Sequence, residues 1–329
     1  MLPYPNSYYP NPMKTHPFTL LLSSCLIASA VNAQTTFLSE SFVAVPTGTQ
    51  GPGEYREDVS MNNPSNDDVA GGTIVGFSAS NLWGTNSGNP RPVATGLNST
   101  SVASSGGSHE FRGASGTNQR YISRDIDAYA GPGTIYFSGS LSTNLIDDNM
   151  VSLIAFSSSG IQSRANAFLD NSGDFYNGFA VGFHGDGSGG VDLVVRYRDS
   201  SLAYVEGTLQ SGIVANDVYT ISGSIEWDVV GSPGNTRDQL SIWVNPENVS
   251  EPGAADFSQL AVAGDANTLS SLLFAQQDVG TGLTDAVYMD EIRLGDSWSA
   301  LTPIPEPAHA VSFVGLGAVA FLFLRRRKI

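Results

Sequence analysis

From Val218 to Val229 the chain alternates without a break. Tyr219, Ile221, Gly223, Ile225, Trp227 and Val229 fall on one side of an extended backbone, and Thr220, Ser222, Ser224, Glu226 and Asp228 on the other. A period of two held over twelve residues fits a β-strand and no helix, because successive strand side chains point to opposite faces. One side is apolar and the other polar, so this strand belongs in an antiparallel sheet with one face packed and one face toward water. The cluster Gly231-Ser232-Pro233-Gly234-Asn235 ends it, and Gln239–Val244 resumes as the next strand.

Similar runs occur at Thr134–Ser140, Val151–Ser157, Gly178–His184, Val191–Arg198, Ala203–Leu209 and Ala286–Leu294. Turn clusters separate them: Gly131-Pro132-Gly133, Asp170-Asn171-Ser172-Gly173 and Gly185-Asp186-Gly187-Ser188-Gly189-Gly190. Strand follows strand with no 3.6-residue pattern between, apart from Ala266–Gln277, which reads as a short helix or another strand. The expected class is all-β, an antiparallel β-sandwich of the jelly-roll kind, as one domain over residues 34–302. The first hundred residues of that domain are less regular: Glu40-Ser41-Phe42 opens a strand, and Asn62–Gly72 and Gly84–Pro92 read as polar loops.

The two ends carry a different chemistry. Lys14 precedes the apolar, serine-bearing stretch Phe18–Val31, which is too short to span a bilayer stably, and Val31-Asn32-Ala33 offers the small side chain that signal peptidase needs. Residues 1–33 read as a signal peptide passed through the Sec translocon and cut after Ala33, with Met1 or Met13 as the start. Leu22-Ser23-Ser24-Cys25 also fits a loose lipoprotein pattern, but apolar residues continue past Cys25 through Leu26, Ile27 and Val31.

At the other end, residues 303–329 hold Pro305-Glu306-Pro307, then seventeen residues from Ala308 to Leu324 whose only titratable side chain is His309, then Arg325-Arg326-Arg327-Lys328. At about 1.5 Å per residue the apolar stretch just crosses a hydrocarbon core, and the basic cluster sets its far end in the cytoplasm. This ending resembles the PEP-CTERM sorting signal of Gram-negative bacteria. The resemblance, over Pro305 to Ile329, implies recognition by a membrane-embedded exosortase with cleavage near Pro305-Glu306-Pro307. It implies an exported protein of the cell envelope, outer surface or extracellular matrix, held in the inner membrane by its C-terminal helix before processing. A plain membrane anchor is the alternative.

Between the ends, charge excludes several partners. Of the fifteen basic residues, Lys14, Lys328 and Arg325 to Arg327 sit in the end segments, which leaves ten arginines against thirty acids once Glu306 of the tail is also set aside, a formal charge close to −20. Such a surface repels nucleic acid and anionic lipid. Cys25 is the single cysteine and leaves with the signal peptide, so disulfides, cysteine zinc sites and a cysteine nucleophile are excluded from the mature domain.

Asp290-Glu291-Ile292-Arg293-Leu294-Gly295, after an alternating run and before Trp298, resembles the closing strand of laminin-G-like, concanavalin-A-like jelly rolls in bacterial surface proteins. The resemblance implies that the opening segment Phe37–Phe42 pairs near this closing strand. The scaffold serves lectins, glycosidases and structural modules alike, so chemistry must come from sites.

Glu226-Trp227-Asp228 resembles the Glu-x-Asp-x-x-Glu strand of laminarinase-like hydrolases, but Gly231 stands where the third acid would be, which leaves the pair as the polar face of an amphipathic strand. Asp147-Asp148 and Asp67-Asp68 read as turn residues. Calcium, the one cofactor considered, would take its oxygens from loops, with Asp174 and Asp186 as ligands, although no EF-hand spacing occurs. His109 and His184 form no zinc pattern. Trp83, Trp243 and Trp298 could stack on sugar rings, though a Trp in an alternating strand is ordinarily core. The expected function is a non-catalytic, exosortase-sorted surface or matrix protein whose sandwich binds extracellular polysaccharide, with no catalytic residue assigned. The alternatives are a polysaccharide hydrolase or lyase, with carboxylates or tyrosines from distant strands, and a structural matrix protein without ligand.

Overall fold

Runs of β-branched and aromatic residues punctuated by Gly, Asn and Asp become strands in the computed structural model, seventeen of them among the described residues. It describes residues 36–40, 44–45, 55–56 and 84–85, residues 91–158 with breaks at 94, 101, 103, 105, 113–119 and 131–132, and residues 178–302 with breaks at 200, 202, 231–236, 250–251, 262–267 and 278–285. The expected signal peptide with Ala33, Trp83, Asp67-Asp68, Asp174 and the C-terminal segment with Pro305, Glu306, Pro307, Arg325, Arg326 and Arg327 lie outside the described residues.

The strands are β1 (Thr36–Glu40), β2 (Ala44–Val45), β3 (Tyr55–Arg56), β4 (Gly84–Thr85), β5 (Arg91–Val93), β6 (Ser108–Arg112), β7 (Arg120–Ala130), β8 (Thr134–Thr143), β9 (Val151–Ser157), β10 (Gly178–Gly185), β11 (Val191–Arg198), β12 (Tyr204–Gln210), β13 (Val218–Val230), β14 (Arg237–Val244), β15 (Phe257–Ala261), β16 (Thr268–Gln277) and β17 (Ala286–Gly295). An eight-stranded antiparallel sheet runs β15-β14-β13-β8-β17-β6-β5, with β1 also on β17, and a seven-stranded antiparallel sheet runs β12-β11-β10-β9-β16-β7-β4. The short pair β2-β3 is parallel. Ala266–Gln277 resolves in favour of a strand, because β16 is the central partner of β7 and β9. Gly84–Pro92, expected as loop, supplies β4 and the start of β5 at the sheet edges.

The two sheets pack through one apolar layer in which Phe137, Phe156 and Phe179 meet at centroid distances of 4.9 to 5.8 Å. Gly223 makes room for this layer: a Cβ there would lie 2.0 Å from the tip of the Phe137 ring. Both chain-distant ends of the domain meet on β17. Strand β6 flanks its first half at Ala286–Met289, and β1 flanks its second half at Ile292–Gly295. The register against β8 shifts between these halves, at Asp290 and Arg293, where Glu291 adopts a φ of 53°. A bulge of this kind re-aims side chains.

Candidate functional site

Cross-strand register fixes what the outer face of the eight-stranded sheet displays. Tyr136 of β8, Ser224 of β13, Ser241 of β14 and Ser258 of β15 stand opposite one another in a row. The neighbouring row holds Arg293, Ser138, Ser222 and Trp243. The hydroxyls of Ser241 and Ser258 lie 3.0 Å apart, and Gln239 Nε2 donates to Ser258 Oγ at 3.0 Å.

Thr220 and Ser222 were expected to face water, yet both are 0 % exposed. Their small hydroxyl side chains allow a third layer to lie on the sheet. Val102, Val249 and Leu301 form an apolar cluster there, and Tyr136 and Trp298 pack against it. Polar ties fix this cover. Thr220 Oγ1 donates to Ser99 Oγ at 2.6 Å, Asn245 Oδ1 accepts from Thr220 N at 2.8 Å, and Arg293 Nη1 donates to the Thr302 carbonyl at 2.9 Å. From the bulge, Asp290 Oδ2 accepts from Leu97 N at 2.8 Å and from Ser104 Oγ at 2.7 Å. Burial pushes the Asp290 carboxyl up to about 7 despite those hydrogen bonds. Next to it, Glu291 and Arg293 form a buried ion pair.

The margin of this cover is aromatic. Trp298, which opens a 3-10 turn over Trp298–Leu301, sits between Tyr136 at 4.7 Å and Trp243 at 4.9 Å, tilted by 57° and 89°. All three rings are half-buried rather than core, which corrects the ordinary expectation for Trp243. Its parity explains this: Leu240 and Ile242 point inward, so the residue after Ile242 points out. Trp243 Nε1 donates to the Gly253 carbonyl at 2.8 Å, so its polar edge is satisfied within the protein. Tyr136 was missed by sequence reasoning, although its place between inward Ile135 and Phe137 marks it as an outward aromatic. The three rings and the hydroxyl row form an uncharged platform of apolar surface beside groups that both donate and accept, which is how a pyranose with its C–H face and equatorial hydroxyls is held.

The outer face of the seven-stranded sheet is different. Its β9, β10, β11 and β16 residues Leu153, Ala155, Ala180, Val194, Leu273 and Ala275 form a second apolar cluster. At its margin His184 of β10, Arg196 of β11 and Glu206 of β12 converge. His184 Nδ1 lies 2.8 Å from Glu206 Oε1, and Arg196 Nε donates to Glu206 Oε2 at 2.6 Å. Arg196 Nη2 is also 3.4 Å from His184 Nδ1. Arg196 can only donate, so the two contacts to Nδ1 compete. The shorter one, to a charged acceptor, puts a proton on Nδ1. Burial raises the Glu206 carboxyl, but the His184 hydrogen bond and the Arg196 charge outweigh it and hold it below its ordinary value.

The remaining expected residues do other work. Asp186 Oδ1 accepts from Ser188 N at 2.7 Å and Gly190 N at 2.9 Å, closing the β10–β11 turn in which Gly187 and Gly189 have φ of 69° and 92°. Those backbone bonds lower its carboxyl. Among the described residues, no three His, Cys, Asp or Glu side chains gather as a metal site. Glu226 and Asp228 are exposed, and the left-handed φ of 55° at Asp228 breaks the strand geometry that a pair of facing carboxylates would need. Asp147 Oδ1 caps its own turn through Asn149 N at 3.0 Å. His109 is enclosed in the core between Phe111 and Phe274, and burial lowers it to about 3.

No known protein family matches the sequence, and no curated protein matches it. Solved structures with a similar fold include an endo-β-1,4-glucuronan lyase from the fungus Trichoderma reesei, at 13 % identity and a TM-score of 0.42, covering 66 % of this chain and 90 % of that one. A carbohydrate esterase from the Shiga toxin-encoding bacteriophage phi24B matches at 16 % identity and 0.39, covering 80 % and 100 %. The carbohydrate recognition domain of Emp47p matches at 11 % identity and 0.40, covering 65 % and 88 %.

Proposed function

We propose that the chain is an exported surface or extracellular-matrix protein, sorted by an exosortase, whose β-sandwich binds polysaccharide without cleaving it. One observation carries the binding half of this reading: Tyr136, Trp243 and Trp298 are brought together half-exposed beside Ser224, Ser241 and Ser258. A ring platform next to hydroxyls provides contact area and orientation, which suits holding a sugar rather than breaking one. The export half rests on the sequence of the ends, from Ala33 to the tail at Pro305-Glu306-Pro307 and Arg325-Arg326-Arg327. Its partners are signal peptidase, the Sec translocon and exosortase.

Glycan-array binding without release of reducing sugar tests the binding half; absence of any bound glycan favours a structural matrix protein. The mass of the mature protein from its native cell tests the other half. A start at Gln34 and an end near Pro305-Glu306-Pro307 support it, and a cytosolic protein bearing both termini overturns it.

A second reading, a polysaccharide lyase or hydrolase, is favoured by the His184–Glu206 pair, since a histidine oriented by a carboxylate is the arrangement of a general base. Sugar release that disappears in His184→Ala while binding to the aromatic platform persists would establish it.

A further inference from the structure

The platform's charge surroundings go further and name a ligand class. Lys14 and Lys328 are the only lysines, so any cation over the domain is an arginine. Among the arginines whose side chains are described, two lie on the outer face of the eight-stranded sheet. Arg293 is 4 % exposed and is held by Glu291 and the Thr302 carbonyl. Arg237 is four residues before Ser241 on β14, about 13 Å along the strand, and its charge acts on Asp199 at the edge of the other sheet. The exposed charges placed nearest the rings among the described residues are acids: Glu226, two residues beyond Ser224 on β13, Asp256, whose Oδ2 accepts from Val244 N, and Asp296, two residues before Trp298.

We propose that the aromatic platform takes neutral hexose polymers and rejects those bearing uronate or sulfate. This rests on the reading of the platform as a saccharide site. An anionic sugar placed on Trp298 meets carboxylates and, among the described residues, no exposed arginine beside the rings to answer its charge, in a chain already strongly acidic. A neutral ring meets none of that cost. Its C–H face lies on Trp298 and Tyr136, and its hydroxyls reach the row of Ser224, Ser241 and Ser258, where each hydroxyl both donates and accepts. That row crosses three strands, two steps of about 4.8 Å, so it tracks a short stretch of chain rather than a single ring. Stacking and neutral hydrogen bonds are not screened, so binding should hardly depend on salt.

The test is a tryptophan-fluorescence titration of the full-length chain with neutral gluco-, manno- and galacto-oligosaccharides, and separately with oligo-uronates and a sulfated oligosaccharide, at about 50 mM and about 500 mM NaCl. The expected result is saturable binding of at least one neutral series, changed less than about twofold by salt, and no saturation with the anionic series. Trp298→Ala should weaken the neutral affinity about tenfold or more, with Trp298→Phe retaining most of it and an unchanged thermal melt showing that Trp298→Phe is folded. Tighter binding of an anionic series that is lost in Trp298→Ala overturns the selectivity and leaves the platform standing. Binding of neutral sugars that ignores Trp298→Ala, or no binding of any series, overturns the platform and the selectivity together.

Discussion

The two outer faces of the sandwich are built from the same strand geometry and have opposite chemistry. On the eight-stranded sheet the outward residues are mostly serines, and hydroxyls this small let a third layer settle over Thr220 and Ser222, with Tyr136, Trp243 and Trp298 left half-exposed at its margin. On the seven-stranded sheet the outward residues are aliphatic in the middle, with Tyr121 packed against them, and the margin carries the charged cluster His184, Arg196 and Glu206. The first face offers shape and neutral hydrogen bonds; the second offers an oriented imidazole and a charge pair. The proposed holding surface and the His184–Arg196–Glu206 cluster thus lie on different sheets, and so do the two readings of the function.

The largest effect should come from breaking what fixes the cover on the eight-stranded face. Glu291→Ala strands the buried Arg293 guanidinium, which also holds the Thr302 carbonyl at the end of the Trp298 turn. Removing one partner of a buried pair costs about 3–5 kcal/mol, read as a shift in urea midpoint. A loss under about 1 kcal/mol would mean that the pair does not anchor the platform.

The next effect separates the bulge from the core. Asp290 is raised by burial from 3.8 to about 7, so its contribution to stability is whole below pH 4 and is lost as pH rises through 7. His109 is lowered from 6.5 to about 3, so its contribution is whole above pH 6.5 and is lost as pH falls through 3. Between pH 4 and 6.5 the two slopes oppose each other, each ~1.4 kcal/mol per pH unit. Asp290→Asn should therefore leave stability rising with pH across that window, and His109→Phe should leave it falling. Slopes of the same sign in the two variants would contradict these burials.

On the seven-stranded face, Glu206→Gln should cost less, about 2 kcal/mol, because Glu206 is 30 % exposed while Arg196 is 6 % exposed and loses a charged acceptor. The same substitution should leave glycan binding at the aromatic platform unchanged; a joint loss would dissolve the distinction between the faces. The smallest effect is expected from Asp186→Ala, a slight fall in melting temperature through loss of its turn-closing bonds. A fall on adding chelator to the unsubstituted chain would instead assign calcium to the fold.

Period-two patterning made the strands and their inward faces legible, most plainly in β13, where Tyr219, Ile221, Ile225 and Trp227 are all buried. It tells which residues point outward and not whether outward is wet. Ser222 and Leu153 both point away from the central layer and both are 0 % exposed. Burial of an outward residue depends on segments distant in sequence, such as those bearing Val102, Val249 and Leu301. Strands β6, β7 and β15 escaped notice because they alternate weakly or are short. The His184–Arg196–Glu206 cluster was hidden for a related reason. Its members are 10 to 22 residues apart and meet only through the registers of two hairpins, His184 opposite Asp192 and Arg196 opposite Glu206. Register is set by turns and bulges that composition does not reveal.

A crystal of the full-length protein soaked with a neutral oligosaccharide decides between the faces most directly. Sugar density stacked on Trp298 and reaching Ser224 and Ser241, with the chain of rings intact, is the result predicted here. Density against His184 Nε2 instead, or a cleaved oligosaccharide beside Glu206, would contradict it and move the function to the other sheet.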